Sequence, residues 1–264
     1  MGNERVLIAF IALLICFPIS AQSTFEVDGI VYSEDLSQKD KMVVYVVRKA
    51  RNDPASNPYG SYYEGNIKIP PMIEHDLDHY LVSGIAQSAF NFCSKVDSIE
   101  INCNVRTVGT NTIIGCPNLK YIKFPDNLES IELSGVDLLP ELEGVELGNG
   151  LKYIDDSNFR STQLTELKIP DSVISIKGVS FSGNKKLIKV CFGKGIEEIG
   201  EGAFALSPLK EVIFTQEVPL IPRPFFLHPA FRKELHAEFI IKVPKNCKKN
   251  YEKVWGDDLN IVEE

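Results

Sequence analysis

The sequence lacks the motifs of the common enzyme classes. It contains no His-Glu-x-x-His zinc motif, no Gly-x-Ser-x-Gly nucleophile elbow and no phosphate-binding loop. Gly193-Lys194-Gly195, followed by Gly200 and Gly202, is dense in glycine but does not match the Gly-x-Gly-x-x-Gly pattern, and we interpret it as a turn. An Asn-x-Ser/Thr glycosylation signal is absent as well. The sequence therefore predicts a non-catalytic protein without a cofactor.

An excess of basic residues is also missing. The 264 residues include 28 Lys and Arg against 36 Asp and Glu, which gives a net charge of −8. Nucleic acids and anionic membrane surfaces bind basic faces, so we predict that neither is the main partner. A mildly acidic surface is sufficient to keep a secreted protein soluble.

Long apolar runs are confined to the first 21 residues. Val6 to Phe17 is uninterrupted and apolar, Pro18 ends the run, and Ala21 is a small residue suited to cleavage. Because the run is too short to span a bilayer comfortably, we predict a secretory signal peptide at residues 1–21 and no membrane insertion after its removal. A lipid anchor at Cys16 is the less favoured alternative.

What the sequence does contain is a repeat of 22 or 23 residues. An aliphatic anchor opens each unit, and apolar residues follow it three and five positions later. The anchors are Val96, Leu119, Leu142, Leu164, Leu187 and Leu209. This period lies in the leucine-rich-repeat range. We predict a β-rich, right-handed leucine-rich-repeat solenoid of about seven coils, with a parallel sheet and the anchors stacked in one buried column.

Each coil is predicted to hold two short apolar segments and an aromatic plug. From Leu164 to Ile169 apolar and polar residues alternate, which indicates a half-buried strand. Val173 and Ile176 return apolar groups to the core, and Phe181 closes the coil. Phenylalanine fills the plug position in three other coils, at Phe90, Phe159 and Phe204. Stacking of coils buries the apolar side that no single coil can bury.

These sequence motifs resemble the repeats of the BspA-like leucine-rich repeat proteins. The strings Ile85-Ala-Gln-Ser-Ala-Phe90 and Ile199-Gly-Glu-Gly-Ala-Phe204, with a leucine strand and Pro-x-x-Val-x-x-Ile after the plug, carry the resemblance. The ends are similar to the family's N-terminal β cap and to its C-terminal cap with a short helix. The resemblance implies a bacterial protein, secreted or at the cell surface, that binds protein or mediates adhesion, and it implies no shared catalytic residues. A glycan partner is the alternative that we leave open.

The predicted organisation follows from these segments. Residues 1–21 are a signal peptide, 22–80 an N-terminal β cap, 81–236 the solenoid with an expanded coil at about 215–236, and 237–264 the C-terminal cap. We expect the protein to be secreted or otherwise extracytoplasmic, in the periplasm or at the cell surface.

The cysteines do not predict a disulfide framework. Five follow the predicted cleavage site, an odd number spread over a long chain. Cys93 and Cys116 each lie three residues before an anchor, a position that we expect to face inward in every coil. The same counting gives Leu139, Ser161, Asn184 and Leu206 in the other coils. We interpret the two thiols as small buried hydrophobes and leave a bridge between them open.

The residue four places after each anchor should point out of the sheet. The first four coils place alternating charges there, namely Glu100, Lys123, Glu146 and Lys168. Such charges form a stabilising ladder across strands. In the next two coils the position is held by Cys191 and Ile213, with Ile188 nearby. We predict an apolar patch that contacts a protein partner, and scattered surface apolar residues are the alternative.

Two loops are further candidates for binding. Phe225 and Phe226 lie in the expanded coil, whose prolines and aromatic residues suit either contact with a partner or packing over the last coil. Tyr59 and Tyr62 lie at a loop rich in Pro, Asn and Ser, and tyrosine suits contact with protein or glycan.

One pair of histidines has a spacing that could bind a metal. His75 and His79 are four residues apart, which would place them on one face of a helix. They follow two prolines, so we predict a solvated polar connection. An extracytoplasmic enzyme or metal-binding protein that uses this pair is the alternative function, and a passive structural spacer is the third.

Overall fold

The structure is a computed structural model that describes residues 24–35, 37, 42–50, 60–224 and 238–264. The predicted signal peptide and three candidate binding residues, Tyr59, Phe225 and Phe226, lie outside these ranges. Within them the chain forms short strands that repeat in three walls of a solenoid, with a single eight-residue helix near the C-terminus.

The N-terminal strands form a cap sheet. The first six strands are β1 (Thr24–Val27), β2 (Ile30–Glu34), β3 (Val43–Val46), β4 (Glu64–Ile69), β5 (Met72–His75) and β6 (Asp78–Ile85). All except β4 belong to one five-stranded sheet in the order β1-β2-β3-β6-β5, in which β3 and β6 run parallel. The cap boundary predicted at residues 80 and 81 therefore falls inside β6.

Tyr63 links this cap to the solenoid. Its hydroxyl donates a hydrogen bond to the Val47 carbonyl oxygen at 2.6 Å and accepts one from the Val31 N–H at 3.1 Å. Its ring packs 5.0 Å from that of Phe90, the plug of the first coil. Burial raises the pKa of Tyr63 above its ordinary value, so the phenol stays neutral.

The main wall of the solenoid is a parallel sheet in two parts. In the first part β4 is followed by β7 (Lys95–Ile101), β10 (Tyr121–Lys123) and β13 (Gly144–Glu146). The second part contains β15 (Glu166–Ile169), β17 (Lys189–Phe192), β19 (Glu211–Phe214), β20 (Ile240–Val243) and β21 (Ile261–Glu263). The six anchors are all at most 1% exposed and share one core cluster, which confirms the predicted buried column.

A second wall is continuous along the repeats. It is a parallel sheet of two-residue strands, namely β8 (Thr107–Val108), β11 (Ser130–Ile131), β14 (Tyr153–Ile154), β16 (Ser175–Ile176) and β18 (Glu198–Ile199). A third wall contains the parallel pair β9 (Ile113–Ile114) and β12 (Val136–Asp137). The predicted plugs lie in the core: Phe90, Phe159, Phe181 and Phe204 are at most 3% exposed, as is Val136.

The main sheet is interrupted between β13 and β15. In the coil before, the residue after the anchor donates to its counterpart one coil earlier, from the Glu143 N–H to the Lys120 carbonyl at 2.9 Å. At the interruption the bond comes from the residue before the anchor, Gln163, whose N–H donates to the Leu142 carbonyl at 2.9 Å. The coil from Leu142 to Leu164 is one residue shorter than its predecessors. Shortening alone does not separate strands, because the equally short coil from Leu187 keeps its ladder.

The predicted inward position before the anchor is wrong in two coils. Ser161 and Leu206 are exposed, and the residues after them, Thr162 and Ser207, are buried instead. In both coils the missing residue falls between this position and the anchor, so counting back from the anchor reaches one residue too far. We call the inward position the buried slot; it is held by Cys93, Cys116, Leu139, Thr162, Asn184 and Ser207.

A short helix closes the C-terminal end, as the sequence predicted. Helix α1 (Lys248–Trp255) turns Tyr251 and Trp255 into the core. The Trp255 ring meets Phe214 edge-on at 5.0 Å, and its indole N–H donates to the Ile221 carbonyl oxygen at 3.1 Å. The helix thus covers the apolar side of the last coils that further repeats would otherwise cover.

Candidate functional site

The outer face of the main sheet begins with a ladder of opposite charges. The register aligns Lys68, Glu100, Lys123 and Glu146 on successive strands. Their charged groups lie 3.7, 4.0 and 3.7 Å apart in that order. The ladder predicted for the first three coils is present and starts one strand earlier. Its fourth predicted member is wrong, because Lys168 lies beyond the interruption and aligns with Cys191.

Beyond the interruption the same row becomes apolar. Cys191 and Ile213 are side by side on β17 and β19, and both are half-buried. Ile188 lies just before β17 and is 37% exposed. Lys168 borders the pair on one side, and Lys242 borders it on the other. We call Ile188, Cys191 and Ile213 the sheet patch.

An ion-pair network flanks the sheet patch. The Glu211 carboxylate lies 3.0 Å from the Lys189 ammonium and 3.1 Å from that of Lys242, which also lies 2.9 Å from Glu264. Burial alone would raise the pKa of Glu211, but the hydrogen bonds from both lysines hold it below its ordinary value. The Lys242 side of the sheet patch is therefore edged by charges that are already paired with each other.

The structure does not bring all predicted site residues together. Tyr62 is half-buried just before β4, at the opposite end of the solenoid from the sheet patch. With Lys49, Glu64 and Lys68 it lines a polar cleft of about 610 Å³. The position of Tyr59, Phe225 and Phe226 relative to either place stays a prediction, since they lie outside the described residues.

The predicted loop at His75 and His79 is wrong, because these residues belong to the β5–β6 hairpin. His75 is opposite Asp78 and His79 is opposite Glu74, so strand alternation directs the two imidazoles to opposite faces. The His75 ring is stacked on that of Phe25 at 4.0 Å. Across the described ranges no group of three His, Cys, Asp or Glu side chains is arranged to hold a metal ion.

Sequence reasoning missed a second apolar row. One residue before each buried slot the chain turns a corner with a positive φ. We call these six residues the corner row; they are Phe92, Gly115, Leu138, Ser161, Gly183 and Leu206. Three of them are large, apolar and exposed, by 45% at Phe92, 52% at Leu138 and 63% at Leu206. These residues lie one position before the buried slot in every coil, but their distance from the anchor varies. Counting from the slot would therefore have identified them, and counting from the anchor did not.

Comparisons with known proteins agree on the architecture. The BspA type leucine rich repeat region matches residues 75–136 and 138–231 in six copies. No curated protein matches the chain in sequence. None of the described helices is long and apolar enough to cross a membrane.

A solved structure with low sequence identity shares the fold. A leucine-rich repeat protein from Bacteroides ovatus superposes with a TM-score of 0.52 at 19% identity, over 90% of this chain and 67% of the other. A leucine-rich repeat protein from T. pallidum gives 0.47 at 17% identity, over 88% and 96%. The pneumococcal vaccine antigen PcpA gives 0.42 at 14% identity, over 92% and 99%.

Proposed function

Since the chain belongs to the BspA-type leucine-rich repeat family, we propose that it is a non-catalytic, extracytoplasmic binding module that holds a protein partner on the outer face of its main sheet. The observation that carries this proposal is the change along one row of the sheet. The first four members of the row, from Lys68 to Glu146, are charged side chains that pair with each other. Cys191 and Ile213 present apolar side chains at the same position of later strands.

The sheet patch has the composition of a small contact site. Apolar side chains exclude water at the centre of protein interfaces, and paired charges at the rim contribute specificity more than affinity. Lys189, Glu211 and Lys242 are such a rim. A partner with an apolar centre and a mixed polar border fits this face better than a highly charged polymer does.

The extracytoplasmic part of the proposal rests on the leader at residues 1–21. We expect the full chain, expressed in a bacterial host, to leave the cytoplasm and to begin at Gln22 after export. N-terminal sequencing of the exported protein checks this. Retention in the cytoplasm with Met1 intact would contradict it.

Binding is tested by screening the purified protein against immobilised extracellular matrix proteins and bacterial glycans. We expect a protein ligand, and Ile213→Glu should lower the affinity for it at least about tenfold, which is about 1.4 kcal/mol of binding free energy. Phe226→Ser should also weaken it if the expanded coil contributes. Lys123→Gln, in the charge ladder, is the matched control and should bind as the parent does.

Thermal unfolding separates loss of binding from loss of fold. Ile213 is half-buried, so Ile213→Glu should lower Tm only slightly. Unchanged affinity in both Ile213→Glu and Phe226→Ser would remove the sheet patch from consideration. Binding to glycans alone would replace the protein partner with a carbohydrate one.

A further inference from the structure

The corner residues share a backbone conformation that side chains normally avoid. Their φ angles are positive in all six coils, from 53° at Phe92 to 73° at Gly183. Hydrogen bonds between coils hold the corners in place: the Phe92 N–H donates to the Ile114 carbonyl at 2.8 Å, and the Gly183 N–H donates to the Ala205 carbonyl at 2.7 Å. The same conformation therefore occurs in all six coils, whichever residue occupies the corner.

Large apolar residues at these corners are unfavourable for two reasons. A positive φ strains any residue with a Cβ, and glycine, which occupies two of the six corners, avoids that strain. Phe92, Leu138 and Leu206 also leave about half or more of their surface in water. Backbone preference does not account for these three residues, and packing covers only part of each side chain. Strained residues that stability does not require point to a role in contact.

The small corner residues open a cleft between the large ones. It has a volume of about 680 Å³, with Pro117 and Pro140 on its walls and the corners Gly115, Ser161 and Gly183 along it. Gly115 is required by shape as well as by φ, because a Cβ there would lie 2.5 Å from Cδ1 of the Phe92 ring. The ring therefore lies against the glycine and forms one end of the cleft.

Arg160 contributes a fixed side wall to the cleft. Its guanidinium is held by the buried carboxylate of Asp137, through an Nε–Oδ2 hydrogen bond of 3.1 Å and a second bond from a terminal nitrogen. Because Asp137 is 1% exposed and neutralises this charge, Arg160 presents mainly its aliphatic stem to the cleft.

The C-terminal half of the row has a basic border. Lys185 and Lys186 follow the Gly183 corner, and Lys210 follows the Leu206 corner. All three are exposed, and no ion pair joins them to another residue in the part of the chain that the structure describes. A ligand that lies along the row would meet uncompensated positive charge at this end.

We propose that the corner row binds an extended acidic polypeptide segment with widely spaced apolar side chains. Coils stack about 4.8 Å apart, so Leu138 lies two coils, or about 10 Å, from Phe92 and three coils, or about 14 Å, from Leu206. An extended chain advances about 3.3 Å per residue and alternates its side chains between two faces, so apolar side chains four residues apart share one face and span about the distance from Leu138 to Leu206. This surface is distinct from the sheet patch and goes beyond the function proposed above.

The probe is a fluorescein-labelled decapeptide with leucines at this spacing and aspartates between them, synthesised in both chain directions. We expect fluorescence anisotropy to detect binding to the full protein. A peptide with lysines in place of the aspartates should not bind, and replacement of the leucines by serine should weaken binding at least tenfold.

Substitutions then locate the site. Leu138→Ser and the double variant Lys185→Glu/Lys186→Glu should each lower the affinity for the acidic peptide at least tenfold. Leu77→Ser is the matched control, because Leu77 is 90% exposed with a φ of 73° but lies at the tip of the β5–β6 hairpin. Leu138→Gly should lose binding while Tm stays level or rises, since glycine relieves the strain at this corner.

Three results would overturn the proposal. They are no binding of the acidic peptide in either direction, equal binding of the lysine peptide, or a loss with Leu77→Ser as large as with Leu138→Ser. Ile213→Glu should leave peptide binding unchanged, so failure here is distinguishable from failure of the sheet patch.

Discussion

Single residues in the buried slot satisfy the backbone of the neighbouring plugs. The Asn184 amide donates to the carbonyl oxygens of Phe159 at 3.0 Å and Phe181 at 2.8 Å, and its oxygen accepts from the N–H and hydroxyl of Thr162, both at 2.7 Å. In an earlier coil the Cys116 thiol donates to the Phe90 carbonyl at 3.0 Å. Small polar residues and cysteine therefore recur in the slot because they can donate hydrogen bonds to the carbonyls of the plug residues. The small size of the cysteines is not the only reason for their presence.

Replacement of Asn184 tests the role of the slot. Asn184→Ala should lower the free energy of unfolding by about 2–4 kcal/mol, because it leaves the Phe159 carbonyl and the Thr162 N–H buried without partners and the Phe181 carbonyl with only a 3.5 Å bond from Ser207. Chemical denaturation measures the loss. Asn149→Ala, which removes an exposed amide bonded to Asp126, is the control and should cost under about 0.5 kcal/mol. A loss at Asn184 as small as that of the control would contradict the account.

Thiol labelling tests the assignment of faces. Cys191 is half-buried, whereas the other four cysteines of the described chain are buried, so Cys191 should react first and Cys93 much later. Burial raises the pKa of Cys191, although Lys168 and Lys189 partly oppose the shift. Its labelling rate should therefore still increase above the pH at which an ordinary thiol ionises. Mass spectrometry of the native protein measures the order, and earlier labelling of Cys93 would refute it.

At the scale of elements, the alternation of inward and outward side chains along each strand was predictable. The register between neighbouring strands was predictable only in part. The charges at Glu100, Lys123 and Glu146 follow from a period of two within strands and 23 between them. Lys168 obeys the same count, yet the interruption removes it from the ladder. The corner row was not predictable by counting from the anchors, because in both short coils the missing residue falls between the slot and the anchor.

The Glu211 network predicts a specific dependence of stability on pH. Because the folded-state pKa of Glu211 lies below its unfolded value, the carboxylate stabilises the fold above the ordinary glutamate pKa of about 4.3, and this contribution is lost as pH falls through the lower folded value. The parent should exceed Glu211→Gln in unfolding free energy by up to about 1 kcal/mol at pH 6.

The difference between parent and Glu211→Gln should shrink as the pH falls below the ordinary glutamate pKa, and it should also shrink in high salt. Urea denaturation across this pH range measures it. A constant difference would mean that the glutamate acts through packing rather than through its charge.

For the whole molecule, the repeat period was enough to predict the continuous core and the plugs, whereas the C-terminal helix was expected from the resemblance of that end to the family's cap. The period reports which side chains turn inward in each coil. The parallel pairing of β3 with β6 could not be read from it, because that contact joins segments more than 30 residues apart outside the repeats. The sheet interruption also escaped prediction, since it depends on how two coils align and not on which residues they bury.

Leu164→Ala tests the continuity of the core. Leu164 is 1% exposed, and its truncation should cost about 2–5 kcal/mol. Leu133→Ala, at a leucine that is 49% exposed, should cost far less. Chemical denaturation of both variants gives the comparison. A loss below about 0.5 kcal/mol at Leu164 would mean that the anchors are not core.

The interruption between β13 and β15 has a mechanical consequence. On either side of it the coils are joined through the second wall, where β14 bonds to both β11 and β16, but no ladder joins them on the main wall. The corner joins the same coils, since the Ser161 N–H donates to the Ser182 carbonyl at 3.0 Å. The stack is therefore open along the main wall only, and it bends most easily there. We therefore expect the curvature of the solenoid to vary mainly there, between the charge ladder and the sheet patch. A partner that spans both surfaces would select one curvature, and one that touches only the sheet patch would leave the bend free.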